Sequence, residues 1–106
     1  MKKLDIGHRN YPLDTALSIL ETEVSQAIFE GKIRVIKVVH GHGRGRLRQA
    51  VRDWCNEQTG RFLAVVHGEN YDAFDKTSAA MRAACGYPPD TDLGRKNRAV
   101  TYIWVR

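Results

Sequence analysis

The sequence predicts an α/β domain in which strand, helix, strand, helix, strand and strand follow one another, joined by right-handed crossovers. Three observations predict it. Apolar residues recur at three- and four-residue spacings in two stretches, as on one face of a helix. Runs rich in β-branched residues lie between and beyond those stretches. A glycine-rich segment joins one such run to the second helical stretch. The chain has 106 residues, 42% of them hydrophobic, which suits a single domain over residues 1–106 with one core.

Residues 4–6 form a short first strand, followed by the polar turn Gly7-His8-Arg9-Asn10. Pro12 suits the first turn of a helix and Asp14 favours its dipole. Leu13, Ala16, Leu17, Leu20, Val24, Ala27 and Ile28 make the first apolar stripe, and Gly31 is its C-terminal cap. Residues 33–39 are nearly all aliphatic, as expected of a strand buried on both faces. Leu47, Ala50, Val51, Trp54 and Cys55 make the second stripe, which stops near Gly60. Residues 62–66 and 99–105 are the third and fourth strands. Between them, Asn70 caps a predicted helix over residues 71–85, with Tyr71, Phe74, Met81 and Cys85 on its inner face and Gly86 as its stop. Tyr87-Pro88-Pro89 and the polar residues 90–97 then read as a loop.

The net charge is +5, which favours a polyanionic partner over an acidic protein surface. Its distribution is more informative. Between Gly31 and Arg52 stand Lys32, Arg34, Lys37, Arg44, Arg46, Arg48 and Arg52, with no carboxylate among them. The alternative is a solvated helix face with strand-edge lysines. Cys55 and Cys85 make no disulfide framework and read as reduced core residues. Without an apolar leader or a run long enough to cross a bilayer, the expected location is the cytoplasm.

The segment His40-Gly41-His42-Gly43-Arg44-Gly45-Arg46-Leu47-Arg48 carries the chemistry. Glycine lets a ligand approach the backbone closely. The helix that follows offers unpaired N–H groups and the positive end of its dipole. Such a junction suits a phosphate, with the arginines as a cationic rim and the histidines as proton carriers. The spacing is not a dinucleotide fingerprint, because the glycines run G-x-G-x-G and no acidic residue closes the next strand. A zinc site from His40, His42, Cys55 and Cys85 is disfavoured by the absence of CxxC or HxxxH spacing.

These residues resemble the Smr (small MutS-related) domain family. Its second motif, a strand ending in His-Gly-x-Gly-x-Gly-x-Leu-Arg, is matched from His40 to Arg48 at each fixed position. Its first motif, Leu-Asp-aliphatic-His-Gly, is similar to Leu4-Asp5-Ile6-Gly7-His8, except that Gly7 fills the histidine position and His8 follows it. The turn into the first helix is about two residues longer than in the family. An insert over residues 68–97 replaces the usual glycine-rich turn before the last strand. The resemblance spans residues 4–66 and 98–105. It implies a two-layer fold similar to the C-terminal domain of translation initiation factor three: a four-stranded mixed sheet of order 1-2-4-3, strand 4 internal and antiparallel, and two helices on one face. The insert helix then covers part of the other.

The resemblance also implies binding of DNA or RNA, with endonuclease activity in several members. Carried over by position, Asp5 and His40 are the catalytic candidates, adjacent at the C-terminal ends of parallel strands, where ligand sites gather. Gly41, His42, Gly43, Arg44, Gly45, Arg46 and Arg48, with His8, are the phosphate-binding candidates; the alternative for His8 is that it replaces the displaced motif histidine from a different register. No organic cofactor is implied, and cleavage assisted by Mg²⁺ or Mn²⁺ or independent of metal are both open. The bland readings stand beside these. Asp5 is then a turn-capping carboxylate, His40 a strand-end histidine bonded to backbone, and His67 polar filler, while Trp54, Tyr102 and Trp104 are core. Two other functional classes remain: a non-catalytic module for structured nucleic acid or a ribosomal surface, and a protein-interaction domain.

Overall fold

A computed structural model describes residues 1–58 and 60–106. Its elements in order are β1 (Lys2–Asp5), α1 (Leu13–Glu30), β2 (Val35–Val39), α2 (Arg46–Asn56), β3 (Phe62–His67), a 3-10 turn (Gly68–Asn70), α3 (Lys76–Ala84) and β4 (Val100–Val105). The sheet order is β1-β2-β4-β3. β1 and β2 are parallel, and β4 runs antiparallel to both β2 and β3. The C-terminal ends of β1, β2 and β3 therefore meet the start of β4 at one edge, and that edge carries the candidate residues.

Side-chain alternation divides the core in two. On one face, Ile36 and Val38 of β2 and Ile103 and Val105 of β4 pack under Ala16, Leu20, Val24 and Ala27 of α1 and Val51 and Cys55 of α2. The expected stripes are thus the core-facing sides, except that Leu13 at the start of the first is exposed, and α1 ends at Gly31, whose N–H donates to the Ala27 carbonyl. On the other face, Val35, Val66, Val100 and Tyr102 pack under Tyr71 and Met81. Both parities of β4 are buried because it is paired on both sides and covered on both faces.

The insert departs from expectation at its start. The helix begins at Lys76, and Asn70 lies in the 3-10 turn. Asp75 is the cap, its carboxylate accepting from the Ser78 N–H at 2.9 Å. Tyr71 is held outside the helix because its ring stacks on Tyr102 at 4.0 Å between centroids, a contact of about 0.5–1.5 kcal/mol. Phe74, expected on an inner face, is 96% exposed. A buried ion pair fastens the far end of the insert to the sheet. Lys37 of β2 donates to Asp90 and also meets Asp92, and the Tyr102 hydroxyl donates to the second Asp90 oxygen at 2.7 Å. Burial opposes charge on Lys37, but the hydrogen bonds to both aspartates outweigh it and raise its pKa above the usual lysine value.

Candidate functional site

The register of β1 on β2 decides how the edge is built. Asp5 stands opposite Val39, whose side chain joins the core beneath the insert. Partners in parallel strands point the same way, so Asp5 belongs to the insert face. His40 follows Val39 and points to the opposite face, where it meets Thr101 of β4. The structure therefore does not bring Asp5 to His40.

It brings Asp5 to His8 instead. One carboxylate oxygen of Asp5 accepts from the N–H groups of Gly7 and His8 at 2.9 and 3.2 Å, closing a tight turn. The other meets His8 Nδ1 at 2.7 Å. Burial alone would raise the Asp5 pKa, but the His8 ring and the two amides outweigh it and hold the carboxyl below its usual value. His8 is largely exposed, with 73% of its side chain open to solvent. Its Nδ1 is anchored and its Nε2 carries no protein partner among the described residues. Gly7 makes the turn possible. A Cβ there would lie 2.6 Å from both the carbonyl carbon and oxygen of His40, so a side chain at this position collides with β2 backbone.

His40 is the reverse case. It is buried, and both ring nitrogens are engaged. Nδ1 faces the Gly41 carbonyl at 3.2 Å and Nε2 meets the Thr101 hydroxyl at 2.9 Å. A neutral ring that donates from Nδ1 and accepts at Nε2 satisfies both contacts. Burial, helped by the charges of Arg52 and Arg48, pushes the His40 pKa down to about 4. The Thr101 hydroxyl also accepts from Arg52 Nε at 3.2 Å. Arg52 in turn grips Glu69 through two nitrogens at 3.0 and 2.7 Å, and this hydrogen bonding holds the Glu69 carboxyl down to about 2. His67 lies at the end of β3 near the same pair, and burial lowers its pKa as well.

The glycine loop covers this network and opens to solvent. Gly41 and Gly45 use their N–H groups internally, on the Ala99 and His42 carbonyls. The N–H groups of His42, Gly43, Arg44, Arg46, Leu47 and Arg48 meet no protein acceptor among the described residues. Gly45 is the N-cap of α2 at φ 82°, a left-handed position that suits glycine. No side chain caps that end and no acidic residue stands in its first turn, so the positive end of the dipole is not offset by the helix's own side chains. The Arg48 guanidinium lies over Gly45, 2.5 Å from where a Cβ would be. Arg44 and Arg46 are exposed. None of these three arginines has a carboxylate partner among the described residues, whereas Lys37 and Arg52 are consumed by the insert and by Glu69. The loop amides and arginines face His8 across a cleft of about 480 Å³, which Asn10 and Tyr11 also line.

His8 and all the expected phosphate-binding positions, Gly41 to Arg46 and Arg48, thus meet around one cleft. Asp5 reaches it through His8. His40 also lines it, but with its ring occupied. Tyr11, 37% exposed in the same cleft, is not among the residues singled out from the sequence; an aromatic ring directly after the polar turn Gly7–Asn10 is the available signal. Trp54 is half-buried against the core and Tyr102 is fully buried. Cys55 is buried, which pushes its thiol up to about 12. Among the described residues no group of three or more His, Cys, Asp or Glu is placed to hold a metal ion, and no helix is long and apolar enough to cross a membrane.

The architecture is that of a solved protein. The crystal structure of the Smr domain of Thermus thermophilus MutS2 aligns with a TM-score of 0.65, covering 100% of this chain and 99% of that one. Sequence identity is 21%, so this likeness speaks for the fold alone. No curated protein matches the sequence. The Smr domain family model matches residues 8–75, from the β1–α1 turn through the glycine loop to the cap of α3. With that span, the motif from His40 to Arg48 and the 1-2-4-3 sheet, this chain belongs to the Smr domain family.

Proposed function

We propose that this chain binds nucleic acid in the cleft between the β1–α1 turn and the glycine loop, and that the Asp5–His8 pair acts there as acid and base on a phosphodiester bond. The observation that carries the reading is the juxtaposition of an anchored histidine with a free Nε2 and a loop of free amides rimmed by unpaired arginines. Free backbone N–H groups at a helix start hold phosphate oxygens, and guanidinium groups add charge-assisted hydrogen bonds. An ionised carboxylate on Nδ1 fixes the tautomer that leaves Nε2 free to accept a proton from the attacking hydroxyl or water. The same amides and arginines stabilise charge gathering on phosphorus oxygens. His40, in this reading, is a positioning residue that shapes the loop through Gly41 and Thr101.

A binding and a cleavage experiment test the proposal. Labelled single-stranded, duplex and stem-loop DNA and RNA are titrated at two salt concentrations. Affinity falls as salt rises if phosphates are contacted; affinity indifferent to salt removes the reading. RNA and supercoiled plasmid are then incubated with wild type, His8→Ala and Asp5→Asn, with chelator and with Mg²⁺ or Mn²⁺. Cleavage by the wild type that both variants lose supports the acid–base assignment, and equal cleavage by all three removes it. A second reading, a module that binds without cutting, is favoured by Gly7 at the family's histidine position. Salt-sensitive binding with no cleavage under either condition would select it.

A further inference from the structure

The cleft described above does not end at His8 and His42. On the far side of these two histidines a second cleft, about 320 Å³, runs over Lys3 and Gly41 to Thr91, Asp92 and Asn97. A third, about 540 Å³, continues from His42 along the tip of the insert to Arg95 and Lys96. His42 borders all three, so they adjoin in a row that makes a groove along the edge of the sheet.

The two ends of the groove are chemically alike. Arg44, Arg46 and Arg48 stand at the α2 end, and Arg95 and Lys96 at the insert end. Neither Arg95 nor Lys96 has a carboxylate partner among the described residues, and both are exposed. The carboxylates bordering this end, Asp90 and Asp92, share Lys37, so one negative charge is left over, and it is spread over hydrogen bonds from Lys37, the Tyr102 hydroxyl and the Asn97 amide at 2.8 Å. The tip is itself held in place. The Gly94 N–H donates to the Tyr71 carbonyl at 2.9 Å, the Arg95 N–H to the Asp92 carbonyl at 3.1 Å, and the Ala99 N–H to Asn97 Oδ1 at 2.9 Å. Cations on a fixed turn lose less freedom on meeting a ligand than cations on a loose one.

We propose that the insert tip, residues 91–98, is a second phosphate-binding wall, and that the ligand is a single strand of nucleic acid laid along the groove. Its backbone meets the glycine-loop arginines at one end, passes His8 and His42, and meets Arg95 and Lys96 at the other. The single strand is favoured by the rings that border the groove, Tyr11, His8 and His42, which offer faces to unpaired bases, as single-strand binders do. A paired helix hides its base faces in the stack. This inference rests on the nucleic-acid reading above and adds to it the length and strandedness of the substrate and the purpose of the insert.

The test measures fluorescence anisotropy of labelled poly-pyrimidine oligonucleotides of about 3 and about 12 nucleotides, lengths at and well beyond a single phosphate cradle. Wild type, Arg95→Ala/Lys96→Ala and Arg44→Ala/Arg46→Ala are compared across a salt series, with thermal melts to confirm that each is folded. The insert variant is expected to lose about tenfold in affinity for the longer strand. The slope of log affinity against log salt should fall by about 1.4, the value for two lost phosphate contacts on a single strand. Its affinity for the short oligonucleotide should be unchanged. The glycine-loop variant should weaken both. If the insert variant binds the longer strand like wild type, with the same slope, the second wall does not exist, while the glycine-loop reading survives if its own variant still loses affinity. Wild type that prefers duplex of the same length overturns the single strand. Wild type that binds neither length removes both readings together.

Discussion

The turns that follow β1 and β2 leave the same edge of the sheet, yet they use histidine in opposite ways. After β1, His8 stands in solvent with one ring nitrogen anchored on Asp5 and the other free. After β2, His40 is buried with both nitrogens occupied and its pKa pushed down to about 4. The family motifs name a histidine at the end of each strand: His40 fills that position after β2, whereas after β1 Gly7 fills it and His8 stands one step later. Their surroundings separate them. A histidine that is solvated, oriented and unfinished in its hydrogen bonding has a ring nitrogen open to a ligand. One that is desolvated, neutral and fully bonded holds backbone in place. The difference follows from one geometric fact, that Asp5 and His40 point to opposite faces of the sheet.

The largest test of this contrast is cleavage. If the proposed activity is present, His8→Ala should lower its rate by about 10²- to 10⁴-fold, the usual contribution of a positioned acid or base, with little change in the melting curve. His40→Ala should do the reverse. It leaves the O–H of buried Thr101 without its acceptor, which costs about 1–3 kcal/mol of stability, and the folded fraction should still cleave. Equal loss of activity in a fully folded His40→Ala variant would erase the distinction.

The next test is pH. A histidine whose pKa is lower folded than unfolded takes up its proton more readily in the unfolded chain. Its stabilising contribution is therefore complete above the unfolded value of about 6.5 and is lost as pH falls through about 4. The shift corresponds to about 3 kcal/mol. Urea unfolding should show wild-type stability dropping by that order between pH 7 and pH 4. A His40→Gln variant, which keeps a donor and an acceptor but cannot titrate here, should lose that part of the slope. A slope unchanged by the substitution would mean that His40 is charged or solvated in the folded state.

Much of the frame is legible in the sequence. The stripe from Ala16 to Ile28 faces the core from α1, although Leu13 at its start is exposed; Gly31 is its cap, and the run before His40 is a strand whose Val35, Ile36 and Val38 are fully buried. The glycine loop was legible because its signal is local: three glycines, a strand before and a helix after. The strand order came from the family resemblance. What could not be read is what depends on distant partners. Lys37 counted as a free cation in the sequence and is paired with Asp90, fifty-three positions away. Arg52 is likewise held by Glu69. The pairing of Asp5 with His40 looked natural because both end parallel strands. Only the register, Asp5 opposite Val39, shows that the residue one step further points the other way. A local signal did exist: an aspartate three residues before a histidine across a glycine can close a turn on its own amides and reach the ring. The start of α3 had a similar clue in Asp75 and Ser78, a cap whose carboxylate takes both the Ser78 amide and hydroxyl.

Gly7 joins the two turns, and its substitution is the third test. Ala at this position places a methyl group 2.6 Å from the His40 carbonyl, so one strand end must give way. A loss of about 1–3 kcal/mol is expected from overpacking of this kind. Gly7→His, which restores the family residue, should cost at least as much, because its Cβ meets the same atoms. A stable Gly7→His variant would show that the β1–α1 turn can step away from β2 and that the present turn is one of two arrangements.

The smallest effects lie within the arginines of the second turn. Arg44 is exposed and touches no carboxylate, so Arg44→Ala should leave folding alone and lower only nucleic-acid affinity. The salt slope should flatten by about 0.7–0.9, the share of one phosphate. Arg48 differs because its guanidinium lies over Gly45 and its charge helps to keep His40 neutral. Arg48→Ala should therefore flatten the salt slope by a similar amount and also raise the His40 pKa. An NMR titration of the histidine ring protons reads that shift without reference to binding. Should the His40 pKa stay where it is in Arg48→Ala and rise only in Arg52→Ala, the burial and the Arg52–Glu69 pair alone keep this histidine neutral, and the arginines of the loop are left wholly to the ligand.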